Sequence, residues 1–182
     1  MMDETEFWAL VDGSREAAGG DPLEQADALV ERLVLLDPDS VVDFARHVES
    51  RLARAHRWDL WAAARLVTGS AEDEAFDSFR CWLVGQGRRV FEGALHDPDS
   101  LAGLPADSGV EILADGGGDG GDADELGYAA YEAYEQLTAT ELPDLGLPEP
   151  PDEPEGTPLD LDDPAALTDR LPRLAQRFPP EP

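Results

Sequence analysis

Residues 73–92 read DEAFDSFRCWLVGQGRRVFE. Phe76, Phe79 and Leu83 recur there at three and four residues along one edge, with Trp82 and Gln86 displaced around the helix, which is the period of an α-helix and not of a strand. The spacing predicts a helix from Asp73 to about Gln86, the central element of the fold. Ser70 stands three residues ahead of Asp73, the spacing of a capping box. Gly85-Gln86-Gly87 is a break, and Val90, Phe91, Ala94 and Leu95 mark a further helix that ends at His96-Asp97-Pro98-Asp99.

The same period extends to both sides. Upstream, Phe7, Trp8, Leu10 and Val11 give a helix over about Thr5 to Ala18. Asp21-Pro22 and Asp37-Pro38 each pair a capping carboxylate with a proline suited to the first turn, opening one helix through Leu36 and another carrying Val41, Phe44, Ala45, Val48 and Leu52. Trp58, Trp61, Ala62, Arg65 and Leu66 share a side of a shorter helix that stops near Gly69. Downstream, Ser100 to Leu104 reads as a single turn. Asp122 or Asp124 caps a helix through Gln136, and Asp163-Pro164 opens a short helix that Pro172 ends or bends. No stretch alternates with period two, so the chain reads as all-α: a single compact multi-helix bundle with a flexible acidic Gly/Pro-rich C-terminal region and a short C-terminal helix. The expected division is a helical domain over 1–138 with a mobile acidic loop at 114–122, an acidic proline-rich linker over 139–163, and a C-terminal helix and tail over 164–182.

Composition narrows the function classes. The 182 residues carry a net charge of −28, and all 13 basic residues are Arg. A groove for nucleic acid needs a basic stripe, and an anionic membrane surface would repel this chain; neither partner is expected. Cys81 is the single cysteine, which excludes an internal disulfide framework and points to a reducing compartment. The acidic opening MMDETEF and the lack of an 18-residue apolar run give no signal peptide and no membrane span, so the expected location is cytoplasmic. Within this acidic background, residues 46–65 are locally basic, with Arg46, Arg51, Arg54, Arg57 and Arg65 against Glu49 and Asp59. Such a segment either attracts acidic parts of its own chain or offers an anion-binding face.

Four motifs follow one another in a telling order: FWALVD (7–12), WDLWAAA (58–64), DEAFDSFRCWLVGQGRRVFE (73–92) and DPDSL (97–101). Together they resemble a bacterial family catalogued as domain of unknown function 4240. PRLAQRF (172–178) is similar to that family's tail, with Ala175 departing from it. The resemblance implies an all-helical bacterial protein with no established activity.

Two groups of residues are candidates for a site. Asp73, Asp77 and Arg80 fall at i, i+4 and i+7, so all three can face one way, and Trp58-Asp59 can approach from the preceding helix. With Arg57 or Arg65, Arg80 would then form a fork for a small carboxylate or phosphate. The competing reading makes Arg80 a structural cation wedged between Phe79 and Trp82. The second group is Tyr128, Tyr131 and Tyr134, a residue type frequent at interfaces, on a helix suited to contacting a partner. No catalytic residue, metal or cofactor is assigned: His47, His56 and His96 lack metal-ligand spacing, and Gly117 to Asp122 is a single copy of a calcium-repeat-like turn that cannot stack. The leading expectation is a non-enzymatic interaction or regulatory module binding a protein partner with a basic surface. A small-anion domain centred on Arg80 is the alternative, ahead of an enzyme using Asp59, Asp73 or Asp77. The sequence leaves the oligomeric state open.

Overall fold

The protein is described by a computed structural model over residues 1–115 and 121–180. It is all-α, in the order α1 (Glu4–Ala18), α2 (Pro22–Leu33), α3 (Pro38–Arg54), α4 (Trp58–Thr68), α5 (Asp73–Gly85), α6 (Arg88–His96), a 3-10 turn at Pro98–Gly103, a second at Ala106–Ser108, α7 (Val110–Asp115), α8 (Gly121–Thr138), α9 (Pro164–Arg170) and α10 (Pro172–Arg177). Among the described residues β-type pairing is limited to one parallel bridge between Arg57 and Glu155. The glycine-rich loop expected at 114–122 has its centre, 116–120, outside the described residues.

Local signals place the helix starts. The Asp3 carboxylate accepts the amides of Thr5 and Glu6 while Glu6 returns a bond to the Asp3 amide, closing a capping box. Asp21, Asp37 and Asp163 each accept from the first turn behind a proline. Three details differ from the sequence reading. Helix α2 ends at Leu33 rather than Leu36, because Asp37 must be extended ahead of Pro38 and residues 34–36 form the turn that permits it. The Ser70–Asp73 box does not form: the Ser70 hydroxyl accepts from the Glu72 amide two residues on, a local turn that competes with the cap. Pro172 does not simply end the C-terminal helix but occupies the first position of α10.

Helix α5 lies at the centre, with Phe76, Phe79, Trp82, Leu83 and Val84 buried. Phe7 and Trp8 of α1, Phe44 of α3 and Phe91 of α6 close around it. Ala62, Ala63 and Ala64 of α4 are fully buried, and their small side chains let that helix approach closely. Trp82 and Gln86 both donate to the Ser108 carbonyl, fixing the second 3-10 turn. There two backbones meet: Gly20 (φ 98°) lies against Asp107, where a Cβ would collide with the Asp107 carbonyl oxygen.

The last two helices dock on the body, with Leu167, Leu171 and Leu174 buried. No side chain within α10 caps its start. Asp99, 7% exposed, supplies the cap from 75 residues away, accepting the Leu174 amide at 2.8 Å and the Arg173 amide at 3.1 Å. Burial alone would raise the Asp99 pKa, but these two amides and the Arg173 guanidinium outweigh it and hold the carboxyl below its ordinary 3.8.

Two outcomes are expected. Gly20→Ala should destabilise by about 1–3 kcal/mol in urea unfolding, because it forces a left-handed residue and moves one backbone off another. Asp99→Ala should cost about 1–2 kcal/mol by loss of the cap. Since the folded carboxyl titrates below its unfolded value, the wild-type advantage over this variant is full above that value and falls as pH drops through the folded one; unfolding curves of both forms from pH 7 to pH 2 check it.

Candidate functional site

Arg80 reaches from α5 to the end of α3. Its Nη1 donates to the Leu52 carbonyl at 2.9 Å and its Nη2 to the Asp77 carboxylate three residues back. Leu52 is among the last residues of α3, whose carbonyls have no partner within the helix, so the guanidinium satisfies an acceptor that α3 cannot. The side chain is 16% exposed and its Cζ lies 4.8 Å from the centre of the Phe76 ring. Phe76 stacks on Trp61 at 4.8 Å and 10°, and Trp61 stacks on Trp58 at 5.6 Å and 16°. A column of cation and three aromatic rings results, with the His56 ring 5.9 Å from Phe76. Burial, and then the neighbouring Arg80 charge, push the His56 pKa down.

The other residues expected around Arg80 lie elsewhere. Asp59 pairs with Arg170 of α9, Arg57 with Glu155 at 3.5 Å, and Arg65 donates to the Gly69 carbonyl at 2.8 Å. Asp73 is exposed in the first turn of α5, favourably placed against the helix dipole, and makes no bond to Arg80. Besides Asp77, the acid that feels the Arg80 charge, and that the sequence reading left out, is Glu49 of α3. Its half-buried carboxyl has its pKa raised by burial, opposed by Arg80. No local spacing signals that influence, since it acts between two helices. Cys81 is buried against Gly127, and burial pushes its thiol up to about 12.

The tyrosines separate. Tyr134 packs half-buried against the core, whereas Tyr128 and Tyr131 are 62% and 40% exposed with ring centres 6.3 Å apart. Tyr128 stands one helical turn before Glu132, whereas Tyr131 turns toward α3, where Glu49 is its charged neighbour. On the other flank of α8 a shallow groove of about 270 Å³ shared with α2 is lined by Asp27, Val30, Glu31, Val34, Glu132 and Gln136. The contribution of α2 was legible only as an exposed Asp27/Glu31 pair at i, i+4, opposite the buried Ala26 and Leu33. The groove is acidic.

Two measurements follow from this geometry. Arg80→Met should lower stability by about 1–3 kcal/mol in urea unfolding, since the Leu52 carbonyl loses its donor and the aromatic column its cation. Cys81 in the folded protein should be alkylated at neutral pH only through opening of the structure, so iodoacetamide labelling should become fast once urea unfolds the chain.

Among the described residues no helix is long and apolar enough to cross a membrane. No curated protein and no solved structure matches the chain. Residues 2–136 match the family model described as "Protein of unknown function (DUF4240)", a span that takes in α1 to α7 and nearly all of α8. The chain, with its four motifs laid out on that helical body, belongs to the DUF4240 family.

Proposed function

We propose that this domain is a non-catalytic interaction module whose α2–α8 face receives a basic segment of a protein partner. The observation that carries the reading is the exposure of Tyr128 and Tyr131 on α8, with Glu132 one turn from Tyr128, Glu49 near Tyr131, and Asp27 and Glu31 across the groove that Glu132 shares with α2. Exposed aromatic rings accept arginine by cation–π contact, the carboxylates complement its charge, and a net charge of −28 steers basic partners toward the domain. The alternative, a small-anion site, draws less support. Arg80, Arg57 and Arg65 are each engaged by groups of the chain itself and do not converge.

The test is affinity capture at low ionic strength with wild type and with the Tyr128→Ala, Tyr131→Ala double variant, whose substitutions lie on the surface and should leave helicity unchanged. Wild type should retain a basic partner that high salt releases, and the variant should bind it at least about 30-fold more weakly, the size of one interfacial anchor. Equal capture by both proteins, or retention indifferent to salt, overturns the reading. A melting temperature raised by phosphate or a small dicarboxylate and abolished in Arg80→Met would instead favour the anion site.

A further inference from the structure

The C-terminal segment meets the helical body as a peptide ligand meets a receptor. Glu155 is gripped through its backbone: the Trp58 amide donates to its carbonyl at 3.0 Å, its own amide donates to the His56 carbonyl at 2.9 Å, and the Arg57 guanidinium faces its carboxylate. Further along, the three arginines of the segment each land on body carboxylates. Arg170 takes Asp59, Arg173 takes Asp97 and Asp99, and Arg177 takes Glu111 while also donating to the Ala102 and Leu104 carbonyls. Between these polar contacts Leu167, Leu171 and Leu174 are buried. Spaced side-chain anchors, backbone pairing and matched charges are the elements of peptide recognition.

What joins this segment to α8 is different material. Residues 140–154 contain no helix or strand, and most of their side chains are exposed; Leu142 and Leu145 packing on the core and the Arg46 bond to the Leu145 carbonyl are the contacts that must release for the stretch to extend. The stretch begins at Ala139, a non-glycine residue in the left-handed region at φ 55°, the position after a helix where glycine is usual. Fifteen extended residues span about 50 Å, more than the roughly 16 Å radius of gyration expected for a chain of this length. The reach therefore extends to a neighbouring molecule.

We propose that residues 155–178 are a separable self-ligand, and that a second copy of this chain can supply them in trans, so that two chains pair by exchanging C-terminal segments. The surface involved lies on α4, the Pro98–Gly103 turn and α7, apart from the α2–α8 face, and the proposal does not depend on the function proposed for that face. In the wild type the cis segment competes at an effective concentration in the millimolar range, so the single chain dominates in dilute solution. Exchange becomes visible when cis docking is disabled.

Two charge-reversed full-length proteins achieve this. In one, the body carries Asp59→Arg and Glu111→Arg; in the other, the segment carries Arg170→Glu and Arg177→Glu. Each repels its own segment, whereas in the mixture the first protein's native segment finds the second protein's native surface. Light scattering should give one chain's mass for each protein alone and two chains' mass for the mixture at micromolar concentration. A mixture that stays at one chain's mass overturns the proposal, as does protease protection of the segment in either protein alone, because recognition would then not rest on these charges. Should either variant lose its helicity, Arg57→Cys and Glu155→Cys proteins, mixed at high concentration, provide the second measurement. Exchange predicts a disulfide between Cys at 57 of one copy and Cys at 155 of the other in excess over both homodisulfides; equal yields of the three refute it.

Discussion

The guanidinium of Arg80 is the point at which three helices are tied. Helix α3 ends inside the fold, and the Leu52 carbonyl near its C-terminus would be left without a partner if α5 did not bring a donor to it. An unpartnered acceptor there carries a desolvation penalty of about 1–3 kcal/mol, so this one bond adds a directional constraint on the crossing of α3 and α5 to the constraint of apolar packing. The same guanidinium ends the stack of Phe76, Trp61 and Trp58, which extends the constraint to α4. Asp77 offsets the charge while remaining 59% exposed, so the pair avoids most of the cost of burying two ions.

Arg80 is one instance of a wider use of arginine. Arg51 is buried between Glu4 and His47 and lies 4.9 Å from the Phe7 ring centre. Arg54 grips Glu92 with both terminal nitrogens, joining α3 to α6. Planar stacking on an aromatic face and two-pronged bonding to a carboxylate are available to a guanidinium and not to an ammonium, which gives a physical reason for a chain whose 13 basic residues are all Arg. Arg51, Arg54, Arg80 and the three arginines of the C-terminal segment tie one element to another, whereas Arg15, Arg32 and Arg65 bond within or at the end of their own helices. The carboxylates they leave over accumulate on the outside.

What the sequence made legible was whatever depends on neighbours along the chain. Asp21-Pro22, Asp37-Pro38 and Asp163-Pro164 each announce a helix because the capping oxygen and the amides it accepts lie within three residues. The apolar period of α5 identifies the centre of the core for the same reason. Helix α7, six residues long, offers no period to read. The cap of α10 is invisible locally because its carboxylate, Asp99, is 75 residues away. The expected convergence of Asp59 and Asp73 on Arg80 illustrates the same boundary. Helical spacing placed Asp77 correctly beside Arg80, but it carries no information about which cation on another element will claim Asp59, and Arg170, 111 residues distant, claims it.

The two surfaces singled out by the geometry differ in how their charge is used. On the side of α4, α7 and the Pro98–Gly103 turn, four carboxylates of the body are matched by arginines of the C-terminal segment, so contact is selected by register, from Glu155 at Arg57 to Arg177 at Glu111. Across α2 and α8 the groove-lining carboxylates Asp27, Glu31 and Glu132 have no cation among the other residues of that lining, and the field stays uncancelled. The C-terminal segment carries five acids of its own against its three arginines, so its docking satisfies particular carboxylates of the body without removing the negative field that a net charge of −28 sets around the molecule.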